Sequence, residues 1–175
     1  MAQIKTQTLA RIDWKSITWF VGLMGIAIVL PRFIHNQFVT GPIVNATLFL
    51  GAYYLGNGGA IMVGLVPSVV ALSSGLLPLP LAPMVPFIMI SNAILIVVFS
   101  WSRKMHFGAS AIVAALAKYL FLYVTALFVI KAIMPNNFAA KAMATMMAWP
   151  QLVTALVGAI IAYGIIKLIS RGENA

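Results

Sequence analysis

Long apolar runs, separated by short polar or proline-rich breaks, dominate this chain between residues 16 and 169. A helix needs roughly 20 mostly apolar residues to cross a bilayer, and the runs predict six membrane-spanning helices. Their predicted ranges are roughly 16–33, 39–56, 58–77, 84–101, 107–133 and 144–169. Since little chain is left over for a soluble domain, we expect residues 1–175 to form a single transmembrane domain.

The composition also indicates a membrane protein. Hydrophobic residues make up 63% of the chain and charged residues 7%, whereas a soluble domain is about 45–50% apolar and about 25% charged. The predicted fold class is therefore an all-α integral membrane protein. We attribute the net charge of +9 to basic loops and tails and expect no nucleic-acid partner.

Basic residues predict the orientation, because Lys and Arg accumulate in cytoplasmic loops. If the N-terminus is cytoplasmic, seven of them lie inside, namely Lys5, Arg11, Lys15, Arg103, Lys104, Lys167 and Arg171. Three lie outside, namely Arg32, Lys131 and Lys141. We therefore expect both termini to be cytoplasmic and the first, third and fifth loops to face outward.

The third loop contains Pro78, Pro80 and Pro83. Proline has no backbone N–H and disfavours helix at the preceding residue, so we expect an extended, stiff stretch. Pro86 falls in the first turn of the fourth helix, where its missing donor costs little. The loop is either a plain helix start after a turn or the rim of a cavity.

Polar side chains collect in the outer halves of the predicted helices. At about 1.5 Å rise per residue, Asn92 lies roughly 12 Å below the outer end of the fourth helix. Asn45 lies near the start of the second helix, and Gln151 and Thr154 share one face of the sixth. Such groups need partners in hydrocarbon. They either bond to one another between helices or line an outward-facing pocket, and we expect the pocket.

Lys118 lies near mid-depth in the fifth helix, where a charge is costly and usually functional. The cytoplasmic end is roughly 15 Å away, beyond the reach of a lysine, and no predicted span contains an acid. We expect Lys118 to contact a bound anionic or carbonyl group, or else backbone carbonyls. Tyr119 and Tyr123 follow it and suit a flat ring. In the first outer loop, His35 and Asn36 are either exposed or cap a ligand.

Several chemistries are disfavoured. The chain has no cysteine, and its acids, Asp13 and Glu173, lie near its ends. Acid–base or metal-assisted catalysis therefore has few candidates, and we expect neither an enzyme nor a cofactor or metal site. No phosphate-binding G-x-x-x-x-G-K motif occurs. A cationic ligand would lack a counter-ion, which favours a neutral or anionic small molecule and energy supplied by another protein.

The stretch "LPLAPMVPFIMISNAILIVVF", a proline-rich loop leading into a helix that contains Asn92, resembles the substrate-binding S component of an energy-coupling factor (ECF) transporter. The resemblance implies a multi-pass protein of a prokaryotic plasma membrane, surrounded by lipid, that binds a vitamin or related micronutrient on its outer side. It also implies a transmembrane T component and two ABC ATPases as partners, and toppling of the S component to carry its ligand inward.

One part of the family pattern is missing. Many members carry Ala-x-x-x-Ala on the first helix as the face that meets the T component. Here Gly22, Gly25 and Ala27 are small but off that spacing, so the docking face is not placed. A flavin, a pterin, a carboxylate vitamin and a nucleobase derivative all stay open as ligands. The alternative is a structural or assembly subunit of a larger membrane complex, whose polar residues only hold helices together.

Overall fold

The structure is a computed structural model that describes residues 13–133 and 138–172. Its regular elements are all helical over those ranges. The α-helices are α1 (Trp14–Phe33), α2 (Gln37–Tyr54), α3 (Gly56–Ser73), α4 (Val85–Trp101), α5 (Phe107–Ile133), α6 (Phe138–Met146) and α7 (Trp149–Gly172). Short 3₁₀ helices at Leu79–Met84 and Ser102–Lys104 precede and follow α4.

Within the described residues, five segments are long and apolar enough to cross a membrane, and they contain α1, α3, α4, α5 and α7. The remaining long helix, α2, lies at the centre of the bundle, packed most extensively on α7 and also against α1, α3 and α4. Every residue of α2 from 45 to 52 is buried. A helix surrounded by protein does not have to be apolar all round, so α2 can carry Asn45 and Thr47.

The predicted sixth helix, 144–169, is wrong at its start. Helix α6 ends at Met146, a turn follows, and α7 begins at Trp149. Pro150 explains the break, because a proline lacks the N–H of a helix interior but fits the first turn of a new helix. The predicted break at 134–142 is itself partly helical, since α6 begins at Phe138. Residues 134–137 lie outside the described residues.

The expected extended stretch in the third loop is also wrong over Leu79–Met84, which form a 3₁₀ helix. The amide of Leu81 donates to the carbonyl of Pro78 at 2.8 Å. The φ angle that proline fixes suits a 3₁₀ helix as well as an extended chain. Leu81 and Met84 are buried, so the loop packs against the bundle. Pro86 lies in the first turn of α4 as predicted.

The core divides into two clusters along the bundle. One of them, at the end where α2 finishes and α5 begins, includes an aromatic group. Phe49 and Phe99 make an edge contact with ring centroids 5.0 Å apart, and Phe99 and Phe107 make another at 5.2 Å. Tyr163 extends the group from α7, 5.3 Å from Phe107. These rings fill that half of the bundle with apolar side chains.

Candidate binding site

Lys118 on α5 lies at the centre of a hydrogen-bond network between helices. Its Nζ donates to Asn45 Oδ1 on α2 at 2.7 Å and to Asn92 Oδ1 on α4 at 2.8 Å. Only 3% of Lys118 is exposed, and both asparagines are buried. A buried charge is costly unless it is hydrogen-bonded, so the two amide oxygens account for how Lys118 is accommodated at this depth.

The amide nitrogens of the two asparagines are held by backbone. Asn45 Nδ2 donates to the carbonyl of Gly41 at 2.9 Å, and Asn92 Nδ2 donates to that of Gly64 at 2.8 Å. A carbonyl only accepts hydrogen bonds, so each amide is turned with its oxygen toward Lys118. The helical backbone of α2 and α3 thereby orients the asparagines.

Close helix packing brings these groups together. A Cβ on Gly158 of α7 would lie 2.7 Å from both Asn45 Cβ and the carbonyl oxygen of Pro42, so only glycine lets α7 approach α2 this closely. On the same helix Thr154 Oγ1 accepts a longer hydrogen bond, 3.4 Å, from Asn45 Nδ2. Glycine on one helix therefore positions an asparagine on another.

Above this network lies a cavity of about 110 Å³. Asn45, Asn92 and Lys118 line it at one level, and Gln37 and Gln151 line it nearer the ends of the helices. It lies at the end of the bundle where α1, α3 and α5 finish, and we call that end the mouth. Toward the other end, the aromatic group of Phe49, Phe99 and Phe107 fills the bundle.

Two amides at the mouth share one acceptor. Gln37 Nε2 and Gln151 Nε2 donate to the carbonyl of Met146 at 3.2 and 3.1 Å. Met146 is the last residue of α6, so these bonds connect the turn between α6 and α7 to the first turn of α2. The polar groups thus form both of the arrangements expected from sequence: they bond to one another between helices, and they line a pocket.

Four of the nine candidate residues line the cavity: Asn45, Asn92, Lys118 and Gln151. Thr154 is not part of the lining, but it accepts a hydrogen bond from Asn45, which is. The other four lie outside the lining. His35 Nε2 is 2.9 Å from the carbonyl of Ser74, and Asn36 caps α2 by accepting from Phe38 N at 2.9 Å. Tyr119 and Tyr123 stack on each other, with ring centroids 5.9 Å apart and Tyr123 41% exposed.

The nine candidates leave out three polar residues of the lining: Gln37, Thr40 and Ser68. Gln37 and Thr40 are three residues apart at the start of α2, and Gln37 lies eight residues before Asn45. That spacing is the signal that would have found them, since residues three, four or eight apart share a helix face. Ser68 donates to the carbonyl of Leu65 in its own helix at 3.2 Å and carries no comparable signal.

A second cavity, of about 480 Å³, lies at the opposite end of the bundle between α5 and α7. Its walls include Phe107, Ile112, Ile160 and Tyr163, with His106 at one edge. It contains none of the candidate residues. A specific ligand site combines an apolar wall with a few converging polar groups, and the smaller cavity above Lys118 has that combination.

A family model described as ECF transporter, substrate-specific component, matches residues 15–170. The match covers all the described helices apart from the first residue of α1 and the last two of α7. No curated protein and no solved structure matches the chain.

Proposed function

The chain belongs to the substrate-specific component family of ECF transporters, and we propose that it captures a small neutral or anionic, vitamin-like molecule in the cavity above Lys118. The observation that carries the proposal is a lysine buried to 3% exposure that lines a largely apolar cavity together with a few other polar side chains. Ionisable residues in membrane spans usually mark substrate pathways. Lys118, Asn45, Asn92 and Gln151 would contact the ligand, and Thr154 would hold Asn45.

The proposal places the mouth on the outer side of a prokaryotic plasma membrane, with both termini cytoplasmic. The distribution of Lys and Arg supports this orientation. All six long helices, α2 included, would then cross the bilayer. A role in ligand binding stays a prediction for His35, Asn36, Tyr119 and Tyr123. His35 and Asn36 lie on the loop beside the mouth, a position from which they would cap a ligand.

We assign the energy of transport to partners, a T component and two ABC ATPases, because the chain has no phosphate-binding motif of its own. The S component would topple within the membrane to deliver its ligand inward. The surface of α1 supports docking there: a Cβ on Gly22 or Gly25 would meet nothing within 4 Å. Ala27 is fully buried and would not contribute.

One observation favours the alternative, a structural or assembly subunit without a ligand. Asn45, Asn92 and Lys118 satisfy one another, as residues that only hold helices together would. The two functions differ in one outcome, because an assembly subunit binds no small molecule.

The test is a thermal-shift screen of the detergent-purified chain against vitamins and their precursors, combined with a pull-down from a native membrane. A ligand that binds only the folded state raises the melting temperature. We expect a shift from one compound and recovery of a T component with its ATPases. A screen without any shift, together with recovery of a membrane complex that lacks ATPases, would favour the assembly subunit.

A further inference from the structure

The donors and acceptors around the cavity are not evenly distributed. At the level of Lys118, the amide nitrogens of Asn45 and Asn92 are engaged by backbone carbonyls, and their oxygens accept from Nζ. An ammonium group has three N–H donors, and two are used here. The donors that remain for a ligand at this level are the third N–H of Lys118, which carries the positive charge, and the second amide N–H of Asn92.

No carboxylate faces that charge from the described residues. The described acid, Asp13, caps the start of α1, where it accepts hydrogen bonds from Lys15 N and Ser16 Oγ. A cation held by neutral amides alone attracts an anionic group more strongly than one that is already paired, because the low dielectric of the interior strengthens the interaction.

The mouth differs in that it offers unused acceptors. Gln37 and Gln151 each spend one of their two amide N–H groups on the carbonyl of Met146, and neither Oε1 accepts a hydrogen bond from any residue that the structure describes. The hydroxyls of Thr40 and Ser68 also donate to backbone carbonyls, those of Asn36 and Leu65. Their oxygens, like the two amide oxygens, remain as acceptors.

The two regions are separated along α2. Gln37 and Asn45 are eight residues apart, which corresponds to a rise of roughly 12 Å. Between them the lining includes the apolar side chains of Val44, Ala71 and Ile88. A ligand that matches all three zones has oxygen acceptors at one end, an apolar middle and hydrogen-bond donors at the other end.

We propose that the cavity binds an organic acid that carries an N–H or O–H donor at its far end, with its acid group on Lys118 and its donor group on Gln37 and Gln151. The inference rests on the proposed function and narrows its ligand class, from neutral or anionic molecules to acids with this polarity. Neutral amides and acids without a distal donor should bind less well.

Three matched probes test the polarity without knowledge of the natural ligand: 4-aminobenzoate, 4-aminobenzamide and benzoate. With a hydrogen bond of about 2.9 Å at each end, 4-aminobenzoate has the right order of length for the roughly 12 Å between Gln37 and Asn45 along α2. We expect the purified chain to bind 4-aminobenzoate at least about tenfold more tightly than either other compound, since each lacks one charge-assisted or amide hydrogen bond. Isothermal titration calorimetry measures all three affinities.

Variants of the chain test which residues bind the acid end of the ligand and which bind its donor end. Lys118→Met should remove the preference for the acid over the amide, and Gln37→Leu combined with Gln151→Leu should remove the preference for 4-aminobenzoate over benzoate. Lys131→Met, which alters an exposed lysine of the same helix, should leave both preferences intact. If a variant fails to fold, the affinities of the three probes for the unaltered chain still decide whether the ligand has the proposed polarity.

Equal binding of the acid and the amide, equal binding of 4-aminobenzoate and benzoate, or no binding of any probe at millimolar concentration would overturn the inference. The proposed function is judged separately, by the vitamin screen and the pull-down. Binding of a neutral vitamin would support the proposed function and contradict the proposed polarity of the ligand. Recovery of a complex without ATPases, together with no binding of any ligand, would contradict the proposed function.

Discussion

Lys118 Nζ on α5 and Asn45 Oδ1 on α2 are joined by a hydrogen bond of 2.7 Å, although 73 residues separate them along the chain. The second bond, to Asn92, brings in α4. The residues at the base of the cavity therefore also fix three helices relative to one another. Substitutions here are expected to change stability as well as binding, so the two have to be measured together.

Replacing Lys118 by Met should greatly weaken binding of whichever compound shifts the unaltered chain. The change removes the charge but keeps an apolar chain of similar length, and it leaves the buried amide oxygens of Asn45 and Asn92 without their donor, which costs about 1–3 kcal/mol for each unsatisfied group. We therefore expect a lower melting temperature than that of the unaltered protein and little ligand-induced shift. Lys131→Met is the control, because Lys131 lies exposed in the last turn of α5. Full affinity in Lys118→Met would remove Lys118 from the site.

Asn92→Leu should lower the free energy of unfolding by about 1–3 kcal/mol, because Lys118 loses a hydrogen-bond acceptor and stays buried. Thermal unfolding followed by tryptophan fluorescence measures the change. The matched control on α4 is Ser100→Ala. Ser100 Oγ is buried and has no hydrogen-bond partner among the described residues, so its removal should be neutral or stabilising. If Asn92→Leu melts like Ser100→Ala, the bond between Asn92 and Lys118 contributes nothing to the fold.

The sequence predicts the long helices well because their signal is local. Apolar length fixes α5 at 107–133, the range that the structure also has. The prediction from apolar length fails where two helices follow each other with no polar break, as at α6 and α7. There the apolar sequence continues through the turn at Met147 and Ala148. There, Pro150 is the one local signal, and a stricter use of proline would have placed the boundary.

The sequence predicts how deep in the membrane each candidate residue lies, but it does not predict which face of each helix meets the cavity. Depth follows from counting residues along a span, and it places Asn45, Asn92 and Lys118 at one level. Which face of a helix meets the cavity depends on the order of neighbouring helices, which a single sequence does not contain. Tyr119 directly follows Lys118 and is therefore rotated by roughly 100° around α5. That rotation is enough to take its ring out of the lining.

Gly158→Ala should destabilise the protein by about 1–3 kcal/mol, the usual cost of overpacking. The new Cβ would lie 2.7 Å from Asn45 Cβ, 2.7 Å from the carbonyl oxygen of Pro42 and 2.9 Å from the amide nitrogen of Ala46. Two of these are backbone atoms of α2 and cannot rotate away, so α2 and α7 have to separate. Because Asn45 moves with α2, ligand affinity should fall as well.

Gly164→Ala is the control for that substitution on the same helix. A Cβ on Gly164 meets nothing within 4 Å, and alanine favours helix over glycine by roughly 1 kcal/mol. Its melting temperature should be unchanged or slightly raised. Equal melting temperatures for the two variants would mean that α2 and α7 do not pack closely at Gly158.

The absence of cysteine from the chain allows a direct test of orientation. A single introduced cysteine is then the one target for a membrane-impermeant maleimide in intact cells. Lys141→Cys, on the exposed side of α6, should be labelled without permeabilisation, because the distribution of basic residues places that loop outside. Lys104→Cys, in the exposed turn between α4 and α5, should be labelled after permeabilisation alone. The reverse pattern would place the mouth of the cavity on the cytoplasmic side and contradict a role in uptake from outside.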